Sequence, residues 1–263
     1  MSALQVYVEG IGVWSPQLAD FAALGRVLAG ATPTPPTGRP GATVLPANER
    51  RRAPQSVLLA VEVAQQAVAM SGREAATLPC VFASADGDQA TTDYMCRTLA
   101  DAPLELSPTR FHNSVHNAPV GYWTIAVGCH AASTAVAAQR ASFGAGLLEA
   151  AGQVLGEQQP VLLVCSDTAG AGPLREVTGC QQAFGCALVL APGRGAATLA
   201  RLDLQLTPIR PDTPLNEPLA TWRANNASAP ALALLALLTQ GAGRCQVAAA
   251  ATLGLQIDME NVG

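Results

Sequence analysis

The residues best suited to chemistry lie together in the segment Phe111-His112-Asn113-Ser114-Val115-His116-Asn117-Ala118-Pro119. Two histidines and two asparagines recur here at four-residue steps, a spacing that favours one helical face or an extended loop. A zinc site would need a third ligand, and no acidic residue or cysteine occurs in the ten residues after His116. We therefore expect neither a metal nor a cofactor, and we interpret the segment as a hydrogen-bonded loop at a subunit interface.

Several catalytic signatures are absent from the sequence, which contains no G-x-S-x-G, H-E-x-x-H or C-x-x-C motif. Gly10 and Gly12 follow a predicted strand, but Ser15 replaces the third glycine of a dinucleotide-binding motif, so we expect a simple turn. All 15 basic residues are arginines, which excludes lysine Schiff bases and the Walker-A lysine. No histidine follows His130, so the second half of the chain cannot supply a catalytic histidine.

Composition narrows the class of partner. The formal net charge of -4 argues against nucleic acid or an anionic membrane surface as a partner. The longest apolar stretch, residues 229–238, is about half the length of a bilayer span. The N-terminal residues lack the pattern of a signal peptide, so we expect a cytoplasmic protein without a membrane span. Seven cysteines, odd in number and set mostly in apolar runs, predict buried free thiols.

Hydrophobic periodicity predicts an α/β fold with a mostly parallel sheet, because strands and helices alternate along the chain. No linker divides the chain into two domains. The clearest predicted elements are strands over residues 5–13, 78–84, 134–138, 160–165, 184–190 and 198–206, helices over residues 54–70, 142–155 and 229–238, and a single final strand over residues 246–257.

Three parts of the sequence together resemble the short β-ketoacyl-synthase N-terminal-like proteins. These parts are Glu49-Arg50-Arg51-Arg52, the run SPTRFHNSVHNAPVGYW over residues 107–123, and STAVAAQRASFGAGLLEA over residues 133–150. Proteins of this family accompany a catalytic ketosynthase in aryl polyene and xanthomonadin-type pigment pathways. The resemblance implies one thiolase-like domain over residues 1–263, with helices and sheets in an α-β-α-β-α stack. Residues 3–192 would form a complete N-terminal half and residues 193–263 a shortened C-terminal half.

The resemblance also implies that this chain has lost the catalytic nucleophile. In active ketosynthases a cysteine occupies the turn between a strand and a buried helix, and the matching position here is Gln139. No cysteine lies between Cys129 and Cys165, and the two histidines that the family supplies from its second half are missing. A glutamine at the nucleophile position is similar to chain-length factors, the silent partners of ketosynthases.

The same resemblance assigns roles to individual residues. Residues at the acyl tunnel or subunit interface would be Phe111, His112, Asn113, His116, Asn117, Tyr122, Trp123, Gln139, Ser142 and Phe143. For each aromatic residue, ordinary core packing is the alternative. Arg50, Arg51 and Arg52 would contact an acyl carrier protein, or form only a solvated face. They would lie at the start of the helix over residues 54–70, the unfavourable end of its dipole for a cation.

Three functions remain open from the sequence. The first is a non-catalytic subunit that pairs with an active β-ketoacyl-ACP synthase and helps to shape its acyl or polyene tunnel. The second is a free-standing acyl-binding protein or acyltransferase that uses another cysteine, Cys129 beside His130, as acyl acceptor. The third is a homodimeric scaffold. A catalytic ketosynthase subunit and an acyl carrier protein are the partners expected under the first.

Overall fold

A computed structural model describes residues 3–262, which contain ten α-helices and eight strands. The strands are β1 (Leu4–Trp14), β2 (Cys80–Ala83), β3 (Ser133–Val136), β4 (Val161–Asp167), β5 (Phe184–Ala191), β6 (Ala200–Pro208), β7 (Ala242–Ala248) and β8 (Leu253–Asn261). The helices are α1 (Phe21–Leu28), α2 (Ala47–Arg52), α3 (Gln55–Ser71), α4 (Gln89–Asp101), α5 (Pro108–His112), α6 (Ala118–Val127), α7 (Ser142–Glu157), α8 (Leu174–Thr178), α9 (Leu219–Ala224) and α10 (Leu232–Gln240).

All eight strands form one sheet in the order β3-β2-β4-β5-β1-β6-β8-β7. Only β2 with β3 and β2 with β4 run parallel, and the other five pairs are antiparallel. The expectation of a mostly parallel sheet is therefore wrong. The physical reason is that helical crossovers also join strands that are not neighbours, β1 to β2 and β6 to β7. The strands that lie between the members of these pairs run antiparallel to their neighbours, which needs no crossover.

The C-terminal strand also differs from its prediction. The segment expected to be one strand over residues 246–257 is a hairpin, in which β7 and β8 pair between Ala242↔Glu260 and Ala248↔Gly254. A turn at residues 249–252 interrupts the apolar run, and periodicity alone did not locate it. The other main predicted elements are present with boundaries shifted by a few residues.

Helix α7 is enclosed by the sheet, which places helices between layers of strands. A side chain at Gly146 would meet Ala83 and Leu163, on β2 and β4, whereas one at Gly144 would meet the backbone of Ala248 at the end of β7. Two positions two residues apart face opposite sides of a helix. The sheet therefore curls around α7, while α3 and α6 cover the other face of β1, β2, β4 and β5.

Gly10 and Gly12 lie within β1 and do not form the predicted turn. A methyl group at Gly10 would overlap the carbonyl oxygen of Ala67, and one at Gly12 would overlap that of Val63. Both carbonyls belong to α3, so the glycines allow this helix to lie directly against the strand. Among residues 3–262, no helix is long and apolar enough to cross a bilayer.

We predict that Gly12→Ala lowers the free energy of unfolding by about 1–3 kcal/mol, because the added methyl group must push α3 away from the sheet. Urea-induced unfolding, followed by circular dichroism, measures the change. Gly152→Ala on α7 is the matched control, since nothing lies within 4 Å of a methyl group there. That control should keep or raise stability, by up to about 1 kcal/mol. Equal stability for Gly12→Ala and the native chain would contradict the close approach.

Candidate functional site

The turn between β3 and α7 holds Gln139 in an unusual backbone conformation. Its φ angle is 51°, in the left-handed region that non-glycine residues rarely adopt. Two contacts of the fully buried Ser142 stabilise the turn: its Oγ donates to the Gln139 carbonyl at 2.6 Å and accepts from the Ala138 N–H at 2.9 Å. Ser142 was expected to open α7, and the structure shows that its hydroxyl also fixes the turn that precedes the helix.

Gln139 is exposed in an open cleft of about 690 Å³. The cleft walls come from the β3–α7 turn, from Ala85 after β2, and from the β7–β8 turn, and most of their side chains are alanines. Arg140 lies beside Gln139 and donates to the carbonyl of Arg223. Burial raises the pKa of Asp86, and the charge of Arg140 opposes that shift. The residue at the turn therefore carries a neutral amide side chain.

A buried carboxylate, Asp167, ends β4 and is bonded to Ala85 in the wall of this cleft. It accepts hydrogen bonds from the Ser84 hydroxyl at 2.7 Å, from the Ala85 N–H at 2.9 Å, from the Asp86 N–H and from the Ser228 hydroxyl. These bonds connect the ends of β2 and β4 to the segment before α10. Loss of solvent raises the pKa of Asp167, although the hydrogen bonds to its ionised form oppose that shift.

Sequence reasoning missed this group of residues. One signal pointed to it, because Asp167 follows the apolar run of residues 161–165, and ligands of α/β sheets commonly bind beyond the carboxyl ends of the strands. The contributions of Ser228 and of Asn226, whose amide donates to the carbonyls of Asp167 and Gln182, had no local signal. They come from a segment about 60 residues further along the chain.

The histidine and asparagine segment spans α5, the following turn and the start of α6. His116 Nε2 donates to the carbonyl of Ser84 at 3.1 Å, and the buried Asn113 accepts from the hydroxyl of Tyr122 at 3.2 Å. His112 and Asn117 are exposed and line a groove beside α6. His116 therefore contacts the turn after β2 at Ser84, and Ala85 of the same turn lines the Gln139 cleft. No cluster of three metal-ligating residues exists within residues 3–262.

Of the four aromatic residues, two lie at the surface and two in the hydrophobic cores. Phe111 is 58% exposed and Tyr122 lines the groove beside α6. Trp123 and Phe143 are each 1% exposed and lie in the two hydrophobic cores, on opposite faces of the sheet. Core packing, the alternative stated for all four, is what the structure shows for these two.

The three arginines occupy a place that the sequence did not predict. They form the last turn of the separate helix α2, which Ala53 and Pro54 divide from α3. Because the carbonyl end of a helix favours cations, the expectation of an unfavourable dipole position is wrong. No side chain of α2 is buried, so its arginines face solvent.

Six of the seven cysteines are buried, as predicted, and only Cys96 is exposed. Cys129 donates its thiol to the Leu78 carbonyl at 3.4 Å. Burial raises the pKa of Cys80 and Cys186 to about 12 and that of Cys180 to about 11. Since the thiolate is the reactive form, these thiols are poor nucleophiles.

Comparison with known sequences decides the family. A family model described as the N-terminal domain of β-ketoacyl synthases matches residues 29–253. The chain belongs to this family. No curated protein matches the sequence.

Solved structures of ketosynthase complexes share the fold of this chain. A chain of the complex between the ketosynthase ApeO and its chain length factor ApeC from Xenorhabdus doucetiae matches with a TM-score of 0.73 and 22% identity, over 97% of this chain and 99% of that one. A chain of the ishigamide ketosynthase/chain length factor matches with a TM-score of 0.70 and 15% identity, over 98% and 100%. A chain of the AntDE:AntF complex, a type II acyl-carrier protein with its ketosynthase, matches with a TM-score of 0.72 and 13% identity, over 98% and 99%. The expected α/β, thiolase-like fold is thereby confirmed.

We predict that Asp167→Ala lowers the free energy of unfolding by at least about 3 kcal/mol, because four donors lose their acceptor in a buried site. Ser228→Ala is the matched control. It removes one of those donors and should cost about 1 kcal/mol. Urea unfolding of both variants measures the difference, and similar losses would contradict a central role for the carboxylate.

The raised pKa of Asp167 predicts a pH dependence. Since this carboxyl protonates more readily in the folded than in the unfolded state, its contribution to stability is complete below the unfolded pKa of about 4 and is lost as the pH rises through the folded pKa. Unfolding free energies of the native chain and of Asp167→Asn, measured across this range, should therefore differ in slope. The native chain should lose stability relative to the variant with rising pH, and parallel curves would oppose the prediction.

Thiol labelling tests the cysteine assignments. With a thiol reagent at neutral pH, we expect one fast reaction per folded chain, at Cys96, and seven in denaturant. Cys96→Ser should remove the fast phase, with Cys129→Ser as the matched control that leaves it unchanged. Rapid stoichiometric labelling of Cys129 would instead support the acyl-acceptor hypothesis.

Proposed function

We propose that this member of the β-ketoacyl synthase N-terminal domain family is a non-catalytic, chain-length-factor-like subunit. It pairs with an active β-ketoacyl-ACP synthase and helps to shape the acyl tunnel in aryl polyene or related polyketide biosynthesis. Under this proposal the chain is one domain, with a complete half over residues 3–192 and a shortened half over residues 193–263.

The observation that carries the proposal is Gln139 in the left-handed turn between β3 and α7. This is the position at which the resemblance places the ketosynthase nucleophile. A carboxamide cannot form the thioester that a cysteine forms, and no cysteine lines the cleft around Gln139. Strained turns persist only where the surrounding structure holds them, here through Ser142. A left-handed turn that is held in place but carries no thiol favours a structural role at this site.

The surface near this turn supports pairing with another chain. Strand β3 is at the edge of the sheet, where one side of its backbone pairs with β2 and the other side has no strand neighbour among residues 3–262. Between β2 and α6, over residues 85–117, the only buried side chains are Gln89, Thr91 and Asn113. Exposed apolar side chains there include Leu99, Leu104, Phe111 and Val115. Such a surface is typical of a protein interface.

Within that pairing, we assign the exposed aromatic and polar residues of the α5–α6 region to the tunnel wall or interface. Phe111, His112 and Tyr122 remain candidates because they are exposed or line the groove. The acyl carrier protein is the second partner, since it must deliver the growing chain to any such complex.

Co-expression with the active ketosynthase encoded nearest to this chain tests the pairing directly. Affinity purification through a tag on one subunit, followed by size-exclusion chromatography with mass determination, should give a one-to-one complex. A well-behaved homodimer that does not retain the ketosynthase would overturn the proposal and favour the scaffold hypothesis.

Activity of that complex tests the silent role. We predict that Gln139→Ala leaves the condensation rate within about tenfold of the native complex, because this side chain performs no chemical step. Replacing the nucleophilic cysteine of the partner ketosynthase by alanine is the control and should abolish condensation. If Gln139→Ala lowered kcat by several orders of magnitude, this subunit would be a participant in the reaction.

A further inference from the structure

Strand β3 presents four backbone groups at the open edge of the sheet. The carbonyls of Ala132 and Val136 accept hydrogen bonds from β2. Because the direction of backbone hydrogen bonds alternates along a strand, the N–H and C=O groups of Ser133 and Ala135 face away from β2. Nothing else within residues 3–262 bonds to these four groups, so a strand of another chain can pair with them.

A second copy of this chain would fit that edge in one preferred register. Two identical strands related by a two-fold axis must pair antiparallel. The register that satisfies all four groups pairs Ser133 with Ala135 of the second copy and places Thr134 opposite itself, at the axis. Residues opposite each other in such a pair have their Cβ atoms about 4.5–5.5 Å apart. The side chains around Thr134 would therefore meet their own copies.

Thr134 is connected to an acidic group on helix α7. Its hydroxyl accepts from the amide Nε2 of Gln153 at 3.1 Å, and the same nitrogen donates to Glu149 Oε1 at 2.8 Å. Glu149 is exposed, and it belongs to none of the ion pairs found within residues 3–262. Two hydrogen bonds thus hold a carboxylate without a cation beside the position of the axis.

We propose that Glu149 disfavours a second copy of this chain at the β3 edge and favours a different chain, whose facing helix carries a neutral or basic side chain. In a self-pair, two Glu149 carboxylates would lie near the axis on the same face of the joined sheet and would repel each other. A basic group at the matching place would attract Glu149 instead. The inference rests on the proposed function, under which the different chain is the active ketosynthase.

The test reverses the charge at this contact in one of two copies. Two differently tagged copies of the chain are co-expressed with the ketosynthase and captured through one tag, and mass spectrometry quantifies the captured chains. Native copies should recover the ketosynthase and little of each other. A native copy with a Glu149→Arg copy should recover at least about fivefold more second copy than native with native or Glu149→Arg with itself. High salt should reduce this difference, because it screens exposed charges.

Two further variants make the result specific to Glu149. Glu157→Arg is the matched control, since it makes the same change at an exposed position about 12 Å further along α7. This control should leave recovery of the second copy unchanged. Glu149→Gln keeps the size of the side chain and removes its charge, so two copies of this variant should recover each other severalfold more than native copies do.

Equal recovery for the native, mixed and Glu149→Gln pairs would overturn the inference, and so would an equal effect of the Glu157→Arg exchange. If the Glu149→Arg chain is insoluble, the Glu149→Gln pair decides alone. Captures that never contain the ketosynthase would overturn the proposed function, while the exchange would still report on pairing between copies of this chain. The two proposals therefore fail independently.

Discussion

The buried carboxylate of Asp167 holds together the segments on which the candidate site is built. It receives hydrogen bonds from the turn after β2 and from the segment before α10, while its own chain ends β4. The Gln139 cleft and the contact of His116 with Ser84 both depend on that turn after β2. Burial of one acidic group, compensated by four donors, thus aligns parts of the chain that are far apart in sequence.

A left-handed backbone, a buried serine that fixes it and a long helix beginning after it form the turn at Gln139. Under the proposed function, Gln139 stands there in place of the ketosynthase thiol. Here the same backbone carries a neutral amide in an open cleft. The proposed function follows from this combination, because a subunit that keeps the framework can still complete an interface without performing the reaction.

One region of the surface, between β2 and α6, exposes apolar side chains, as the proposed pairing with another subunit requires. The excursion between β2 and α6, over residues 85–117, buries no apolar side chain, and it adjoins the edge strand β3 and the groove beside α6. An exposed apolar surface gains from a partner that excludes water. The interior contrasts with this region, since α3 lies against β1 closely enough that two positions admit only glycine.

The sequence alone determined the α/β class, the main helices and strands, the burial of most cysteines and the family, because these depend on local periodicity and on a few specific segments. It also identified Gln139 from the run that ends β3, and the structure places this residue in the turn between β3 and α7. Strand direction, the hairpin of β7 and β8 and the helix that carries the arginines required the tertiary structure. So did the Asp167 network, since its donors come from segments as far as 83 residues away. Periodicity records which face of an element is buried, whereas pairing and hydrogen bonding between distant segments are decided only when the chain packs.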